Sequence, residues 1–193
     1  MKNKNVVLIG FMACGKSTVG KKLAGALRYS FLDTDALIEE TCQKKISQIF
    51  AEDGEEAFRQ AETAALKKLK EEVKHCVIAT GGGMPLREEN VRYMREIGTV
   101  FFLQADIETI LGRLRDDTQR PLAAGENRQE REERLRNLYA KRLPVYKEAA
   151  EICIDTEGKT FYGIIQEIEQ YMGKAGSGQN ERKEGAKNET TDN

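Results

Sequence analysis

The segment that decides the fold is Val6-Val7-Leu8-Ile9-Gly10-Phe11-Met12-Ala13-Cys14-Gly15-Lys16-Ser17. Its first four residues are apolar and mostly β-branched, which is typical of a strand buried inside a parallel sheet. Residues 10–17 match the pattern G-x-x-x-x-G-K-[S/T] in full, and chance gives such a match on the order of once per hundred chains. Between a strand and a helix, this pattern predicts a phosphate-binding loop.

The residue types of this loop fit phosphate chemistry. Glycines allow backbone N–H groups to curl around phosphate oxygens, and the following helix N-terminus adds partial positive charge. Lys16 is expected to reach the β- and γ-phosphates, and the Ser17 hydroxyl is expected to bind Mg²⁺. A glycine-rich turn that binds nothing is the alternative. The predicted nucleotide contacts in the loop are Ala13, Cys14, Gly15, Lys16, Ser17 and Thr18.

Strands alternate with helices outward from this segment. Apolar runs predict strands at 6–9, 31–32, 76–79, 99–103 and 151–154. Helical spacing predicts helices at 16–28, 36–43, 46–52, 55–72, 88–96, 106–114, 128–149 and about 161–172. This alternation predicts an α/β fold with a parallel sheet covered by helices on both faces, whose ligands bind at the carboxyl ends of the strands.

Composition excludes several classes of protein. The 193 residues carry 31 Lys and Arg against 32 Asp and Glu, so we expect no bulk attraction to nucleic acid or to a membrane. No apolar run approaches the ~20 residues of a membrane span, and no signal-peptide pattern is visible, so we expect a cytoplasmic protein. One histidine and four widely spaced cysteines favour reduced thiols over a metal site.

Two further stretches follow predicted strands. Asp33 and Asp35 suit a metal helper and a hydroxyl-binding residue beside a Mg-nucleotide, although Asp is also a common helix N-cap. Gly81, Gly82 and Gly83, which we name the triple-glycine loop, end the strand at 76–79. Consecutive glycines are costly in entropy, which favours a close backbone approach to a ligand over a merely flexible turn.

Single arginines indicate function less strongly than these motifs do. Arg59 has Glu62 at i+3, which also suits a surface ion pair. Arg120 lies in a polar segment at 115–127, which we predict to be a mobile loop, and Arg142 lies close before Pro144, which can end or kink a helix. After residue 172 the composition predicts a disordered tail at 173–193.

Taken together, these motifs resemble the shikimate kinase family over about residues 5–170. The resemblance rests on the phosphate loop, Phe31-Leu32-Asp33-Thr34-Asp35, Asp53-Gly54-Glu55-Glu56-Ala57-Phe58-Arg59 with Glu62, Thr80-Gly81-Gly82-Gly83, Arg120-Pro121-Leu122, and Arg142-Leu143-Pro144-Val145-Tyr146. The order and spacing of the whole set are more specific than the phosphate loop alone. The resemblance implies a single domain at 1–172 with a three-layer P-loop NTPase fold, a five-stranded parallel sheet ordered 2-3-1-4-5, and a mobile lid.

The resemblance also implies an activity: transfer of the γ-phosphoryl group of ATP, with Mg²⁺, to the 3-hydroxyl of shikimate. It further implies a small-molecule partner, no nucleic acid or membrane partner, and a monomer. Lys16, Asp35 and Arg120 would be catalytic, and Ser17 and Asp33 would hold the metal. The implied shikimate contacts are Asp35, Arg59, Glu62, Gly81, Gly82, Gly83 and Arg142. Arg113, with Arg115 as the competing choice, and Arg120 would contact the nucleotide.

One residue departs from the family pattern, and three alternatives stay open. The family usually has glycine where this chain has Ala13, so a positive φ there would strain the alanine by about 1 kcal/mol or more. The alternatives are another small-molecule kinase such as a gluconate kinase, a non-catalytic nucleotide switch, and an inactive relative. Asp155-Thr156-Glu157-Gly158 matches the D-x-x-G of GTPase switches, but it comes late in the chain and no N-K-x-D accompanies it.

Overall fold

The computed structural model describes residues 5–115 and 127–177, in which strands and helices alternate. The strands are β1 (Asn5–Ile9), β2 (Ser30–Asp33), β3 (Cys76–Ala79), β4 (Gly98–Gln104) and β5 (Ile152–Asp155). The helices are α1 (Lys16–Leu27), α2 (Thr34–Cys42), α3 (Ile46–Gln48), α4 (Gly54–Glu72), α5 (Glu88–Ile97), α6 (Ile107–Arg115), α7 (Arg128–Ala149) and α8 (Phe161–Ser177). A π-helical turn (Ile49–Asp53) precedes α4, and a 3₁₀ turn (Met84–Leu86) precedes α5.

The strands form one parallel sheet in the order β2-β3-β1-β4-β5, which confirms the predicted order. Strand β1 is central and buried along its whole length, as its continuous apolar run requires. Buried Asn5 fixes the start of this strand, because its side chain donates to the carbonyls of Val73 and Ile97 and accepts from the Cys76 N–H. The main core lies between the sheet and the helices that cover its two faces.

Several element boundaries differ from the prediction. Helix α2 begins at Thr34 rather than at 36, because the Asp33 carboxylate caps it by accepting from the Asp35 N–H at 3.1 Å. The predicted helix at 46–52 divides into α3 and the π-helical turn, which closes where the Gly54 N–H bonds the Ile49 carbonyl. Helix α8 continues to Ser177, so the prediction of a disordered tail from 173 is wrong for residues 173–177. Helical backbone bonding extends beyond the last residues of the apolar pattern from which the helix was predicted.

Parallel pairing brings the carboxyl ends of β1, β2 and β3 to one edge of the sheet. The phosphate-loop segment follows β1, the Asp33–Asp35 pair follows β2, and the triple-glycine loop follows β3. The fold therefore gathers at one edge the three motifs that the sequence marks as functional. The predicted lid, including Arg120, lies outside the described residues. In the part of the chain that is described, no helix is long and apolar enough to cross a membrane.

Candidate active site

A cleft of about 590 Å³ opens at this edge of the sheet. Its walls are the phosphate loop, the start of α2, one face of α4, the triple-glycine loop, and single residues of α3, α6, α7 and α8. Lining residues predicted from the sequence are Ala13, Gly15, Lys16, Ser17, Thr18, Asp33, Asp35, Arg59, Glu62, Gly81, Gly82, Gly83, Arg113 and Arg142. Residues scattered over 130 positions of the chain thus meet around one cavity.

The phosphate loop wraps around the end of its own lysine. The Lys16 Nζ donates to the carbonyls of Gly10 at 3.0 Å and Phe11 at 2.9 Å. Cys14 lies beneath this loop and does not line the cleft, because its side chain is only 3% exposed and its N–H bonds the Phe11 carbonyl. The cleft therefore holds a fixed positive charge at the N-terminus of α1, which suits an anionic group.

Ala13 adopts the left-handed conformation, with φ at 58°. Since this region costs an L-residue about 1–2 kcal/mol, the strain expected at this position is present. The Arg113 guanidinium donates to the Ala13 carbonyl at 3.0 Å, so α6 holds the strained residue from the outside. This contact places Arg113 against the phosphate loop. The side chain of Arg115, the competing choice, lies outside the described part of the chain.

The acidic pair is held in two different ways. The Asp33 carboxylate accepts from the Ser17 hydroxyl at 2.7 Å and from the Asp35 N–H at 3.1 Å. Asp33 is therefore both the N-cap of α2 and a neighbour of the phosphate loop. Its role as a helix cap and the predicted role beside a Mg-nucleotide are compatible. Asp35 lines the cleft from the first turn of α2, next to the triple-glycine loop.

Two glycines of the triple-glycine loop are needed because charged side chains lie against them. A Cβ on Gly81 would stand 2.6 Å from Asp35 Oδ1 and 3.1 Å from Glu62 Oε1. A Cβ on Gly83 would overlap the Arg59 guanidinium. The missing side chains thus leave room for two carboxylates and one arginine around the loop.

Arg59 and Glu62 form a buried ion pair on α4, with N–O 2.8 Å and side chains 13% and 1% exposed. Burial raises the pKa of Glu62, and the nearby Asp35 charge raises it further, while Arg59 opposes both effects. Burial alone would lower the Arg59 pKa, but the Glu62 and Glu55 carboxylates raise it instead. Glu62 Oε1 makes no hydrogen bond within the described chain, which leaves one buried acceptor at the cleft.

Arg142 reaches the cleft from α7, and its guanidinium carbon lies 6.0 Å from the centre of the Phe11 ring. Helix α7 continues through Pro144 to Ala149 rather than ending there. The buried Nε of Arg142 makes no hydrogen bond to any described residue. Two arginines from different helices therefore face one cavity, and a planar guanidinium can bind a carboxylate through two hydrogen bonds.

Five lining residues were not predicted as site residues: Met12, Ile46, Phe58, Thr80 and Phe161. Met12, Phe58 and Thr80 lie inside the quoted motifs, whereas Ile46 and Phe161 lie in none of them. Phe58 and Ile46 belong to the small apolar cluster beneath α2 and α4, so the helical pattern marks Phe58 only as a core residue. Phe161 is 46% exposed at the start of α8, and an exposed aromatic beside a cleft shows itself only in three dimensions.

The sheet order, the phosphate loop and the cleft define a P-loop kinase fold with a pocket for a small second substrate. The family model of shikimate kinase matches residues 12–173. Shikimate kinases of Thermodesulfovibrio yellowstonii and Persephonella marina are 44% and 43% identical over 165 residues, which is 86% of this chain and 92% and 96% of theirs. The structure of Acinetobacter baumannii shikimate kinase in complex with shikimate is 37% identical, with a TM-score of 0.79 over 89% of this chain and 93% of that one.

The chain belongs to the shikimate kinase family. The predicted family and fold are thereby confirmed, and the chain is a kinase that takes ATP as its phosphoryl donor. The gluconate kinase and nucleotide-switch alternatives are not favoured.

Proposed function

We propose that this protein transfers the γ-phosphoryl group of ATP to the 3-hydroxyl of shikimate. The observation that carries the proposal is the meeting, in one cleft, of the phosphate loop with Asp35, Arg59 and Arg142. The cationic loop suits the triphosphate, and the arginine pair suits the carboxylate of a small hydroxy acid. In the transfer, the acceptor oxygen bonds the γ-phosphorus, the bond to the β–γ bridging oxygen breaks, and Asp35 takes the hydroxyl proton.

The residues present fit a Mg²⁺ ion. Magnesium is commonly bound through one or two carboxylates together with substrate phosphates, rather than by an all-protein cage. Ser17 and Asp33 supply such a partial set, with their oxygens 2.7 Å apart, and no group of three or more metal-binding side chains occurs among the described residues. When bound, Mg²⁺ neutralises charge on the β- and γ-phosphate oxygens.

The remaining roles in binding the phosphates and the acceptor belong to side chains and backbone groups of this chain. Lys16 and the backbone of Ala13 and of residues 15–18 hold the phosphates, and Arg113 braces the loop beside the nucleotide. Arg120 is proposed to meet the transferring phosphoryl group. Arg59, Arg142, Glu62 and the triple-glycine loop orient the acceptor. We propose that the enzyme acts as a monomer, as the resemblance to the family implies.

A coupled ADP-release assay tests the proposal, with Mg·ATP and separately shikimate, gluconate or a nucleoside monophosphate. Shikimate-dependent ADP release is expected, and turnover of another acceptor without shikimate turnover would refute the proposal.

Arg142→Ala should raise KM for shikimate strongly while KM for ATP stays within a few fold. Arg136→Ala is the matched control, since Arg136 lies on the same helix but pairs with Glu108 outside the cleft. Equal losses for both substrates in Arg142→Ala would show that this arginine does not select the acceptor.

A further inference from the structure

Two buried hydroxyl groups hold the triple-glycine loop from behind. The Thr34 hydroxyl accepts from the Gly81 N–H at 3.0 Å, and the Tyr146 hydroxyl donates to the Gly82 carbonyl at 2.7 Å. Thr34 and Tyr146 are both completely buried, and neither lines the cleft, whereas all three glycines do. The two side chains therefore act on the loop, and they cannot contact a ligand in the cleft directly.

These contacts set the direction of the loop's peptide groups. The peptides are trans and planar, so the Gly83 N–H points opposite to the Gly82 carbonyl that Tyr146 holds. This N–H therefore points away from the buried Tyr146 hydroxyl. Glycine has no side chain to restrict such a peptide, so the restriction must come from partners like these.

Each hydroxyl also ties the loop to a charged group of the cleft. Thr34 stands between Asp33 and Asp35, so its bond to Gly81 keeps the Asp35 carboxylate against the loop. Tyr146 lies one helical turn after Arg142 on α7, so its bond to Gly82 fixes the distance between that helix face and the loop. The Tyr146 ring is in turn packed on Phe102 of β4, with ring centres 5.2 Å apart.

We propose that Thr34 and Tyr146 are positioning residues that hold the triple-glycine loop in the conformation that receives the acceptor. This inference rests on the proposed function, because it assigns the loop to acceptor binding. Removing either hydroxyl leaves a buried backbone group without its partner and allows the loop to turn. Binding of the acceptor then becomes weaker, while the chemistry of the bound complex and the phosphate loop change less.

The test compares Tyr146→Phe with Tyr139→Phe. Tyr139 is a close match, since it lies on the same helix, is buried against an aromatic ring, and donates to a backbone carbonyl, that of Ala105, at 2.9 Å. Ala105 does not line the cleft. Both variants keep their rings and should fold, with similar small losses in Tm.

Tyr146→Phe should raise KM for shikimate about five- to tenfold, with kcat and KM for ATP within about threefold, as expected for one lost buried hydrogen bond. Thr34→Val should act in the same direction, and Thr34→Ser, which restores a hydroxyl, should recover most of the wild-type KM. Tyr139→Phe should leave every kinetic constant near the wild-type value.

Amide hydrogen exchange in the free protein gives a readout that does not depend on the reaction. Exchange across residues 80–86 should be faster in Tyr146→Phe and Thr34→Val than in Tyr139→Phe. The inference is overturned if Tyr146→Phe and Tyr139→Phe behave alike in exchange or, in an active enzyme, in KM for shikimate. A wild-type protein that fails to turn over shikimate refutes the proposed function instead, and the exchange comparison still decides whether the two hydroxyls hold the loop.

Discussion

Replacing Arg59 by Met should destabilise the protein because it leaves Glu62 as a buried, uncompensated carboxylate. Glu62 is 1% exposed and Arg59 13%, so neither charge is well solvated in the fold. Removing one partner of a buried ion pair typically costs about 3–5 kcal/mol. Because Arg59 keeps some contact with water, we expect the lower end, about 3 kcal/mol, which for a chain of this size lowers Tm by about 6–12 °C.

The effect should depend on pH in a defined direction. The Glu62 pKa is already raised in the folded protein, and loss of Arg59 removes the group that opposes this rise. A raised folded-state pKa means that the burial penalty is absent below the unfolded-state pKa, where Glu62 is protonated in both states. The penalty grows as pH rises from that value to the folded-state pKa, and it is complete above the folded-state pKa. The gap in Tm between wild type and Arg59→Met should therefore be small below the unfolded-state pKa of Glu62 and larger at pH 7–8.

Thermal unfolding monitored by circular dichroism measures these differences, and two variants supply controls. Arg59→Met/Glu62→Gln removes the stranded charge and should recover at least half of the lost stability. Arg87→Met breaks the ion pair with Glu56, which at 2.6 Å is shorter than the Arg59–Glu62 pair but has side chains 32% and 68% exposed. Because solvent screens that pair, its loss should leave Tm nearly unchanged.

Three outcomes would refute this reasoning. A loss of Tm in Arg59→Met that is no larger than in Arg87→Met would mean that burial adds nothing to the pair. The double variant could be as unstable as the single one, so that the stranded carboxylate is not the cause. Finally, a loss that is independent of pH would show that Glu62 does not carry the penalty.

Three further predictions concern the walls of the cleft. Gly81→Ala should raise KM for shikimate at least tenfold by displacing Asp35 or Glu62, whereas Gly25→Ala, with nothing within 4 Å, should leave turnover unchanged in the same assay. Ala13→Gly should relieve the strain at φ 58° and change the free energy of unfolding by less than about 1 kcal/mol, because the gain is offset by unfolded-chain entropy; urea unfolding measures this. Arg113→Ala should raise KM for ATP severalfold without changing KM for shikimate in steady-state kinetics, and the reverse pattern would contradict its contact with the phosphate loop.

Much of the fold follows from local patterns in the sequence. The buried strand before Gly10 and the helix after Gly15 surround a contiguous motif whose spacing alone predicts its geometry. Boundaries were less predictable where a side chain alters the backbone, as at Asp33, whose capping bond starts α2 two residues early. The π-helical turn at Ile49–Asp53 gave no pattern, because an extra residue in one turn leaves the apolar spacing nearly intact.

The candidate site likewise has parts that local sequence patterns predict and parts that they do not. The phosphate loop, the Asp33–Asp35 pair and the strand-helix order could be predicted from local spacing, because each depends on residues close together in the chain. Tertiary packing buries Arg59 and Glu62, and this could not be predicted, since i+3 spacing suits an exposed pair equally well. It alone joined Tyr146 to Gly82, 64 residues away, because such a contact depends on how α7 packs against the sheet and not on any local spacing.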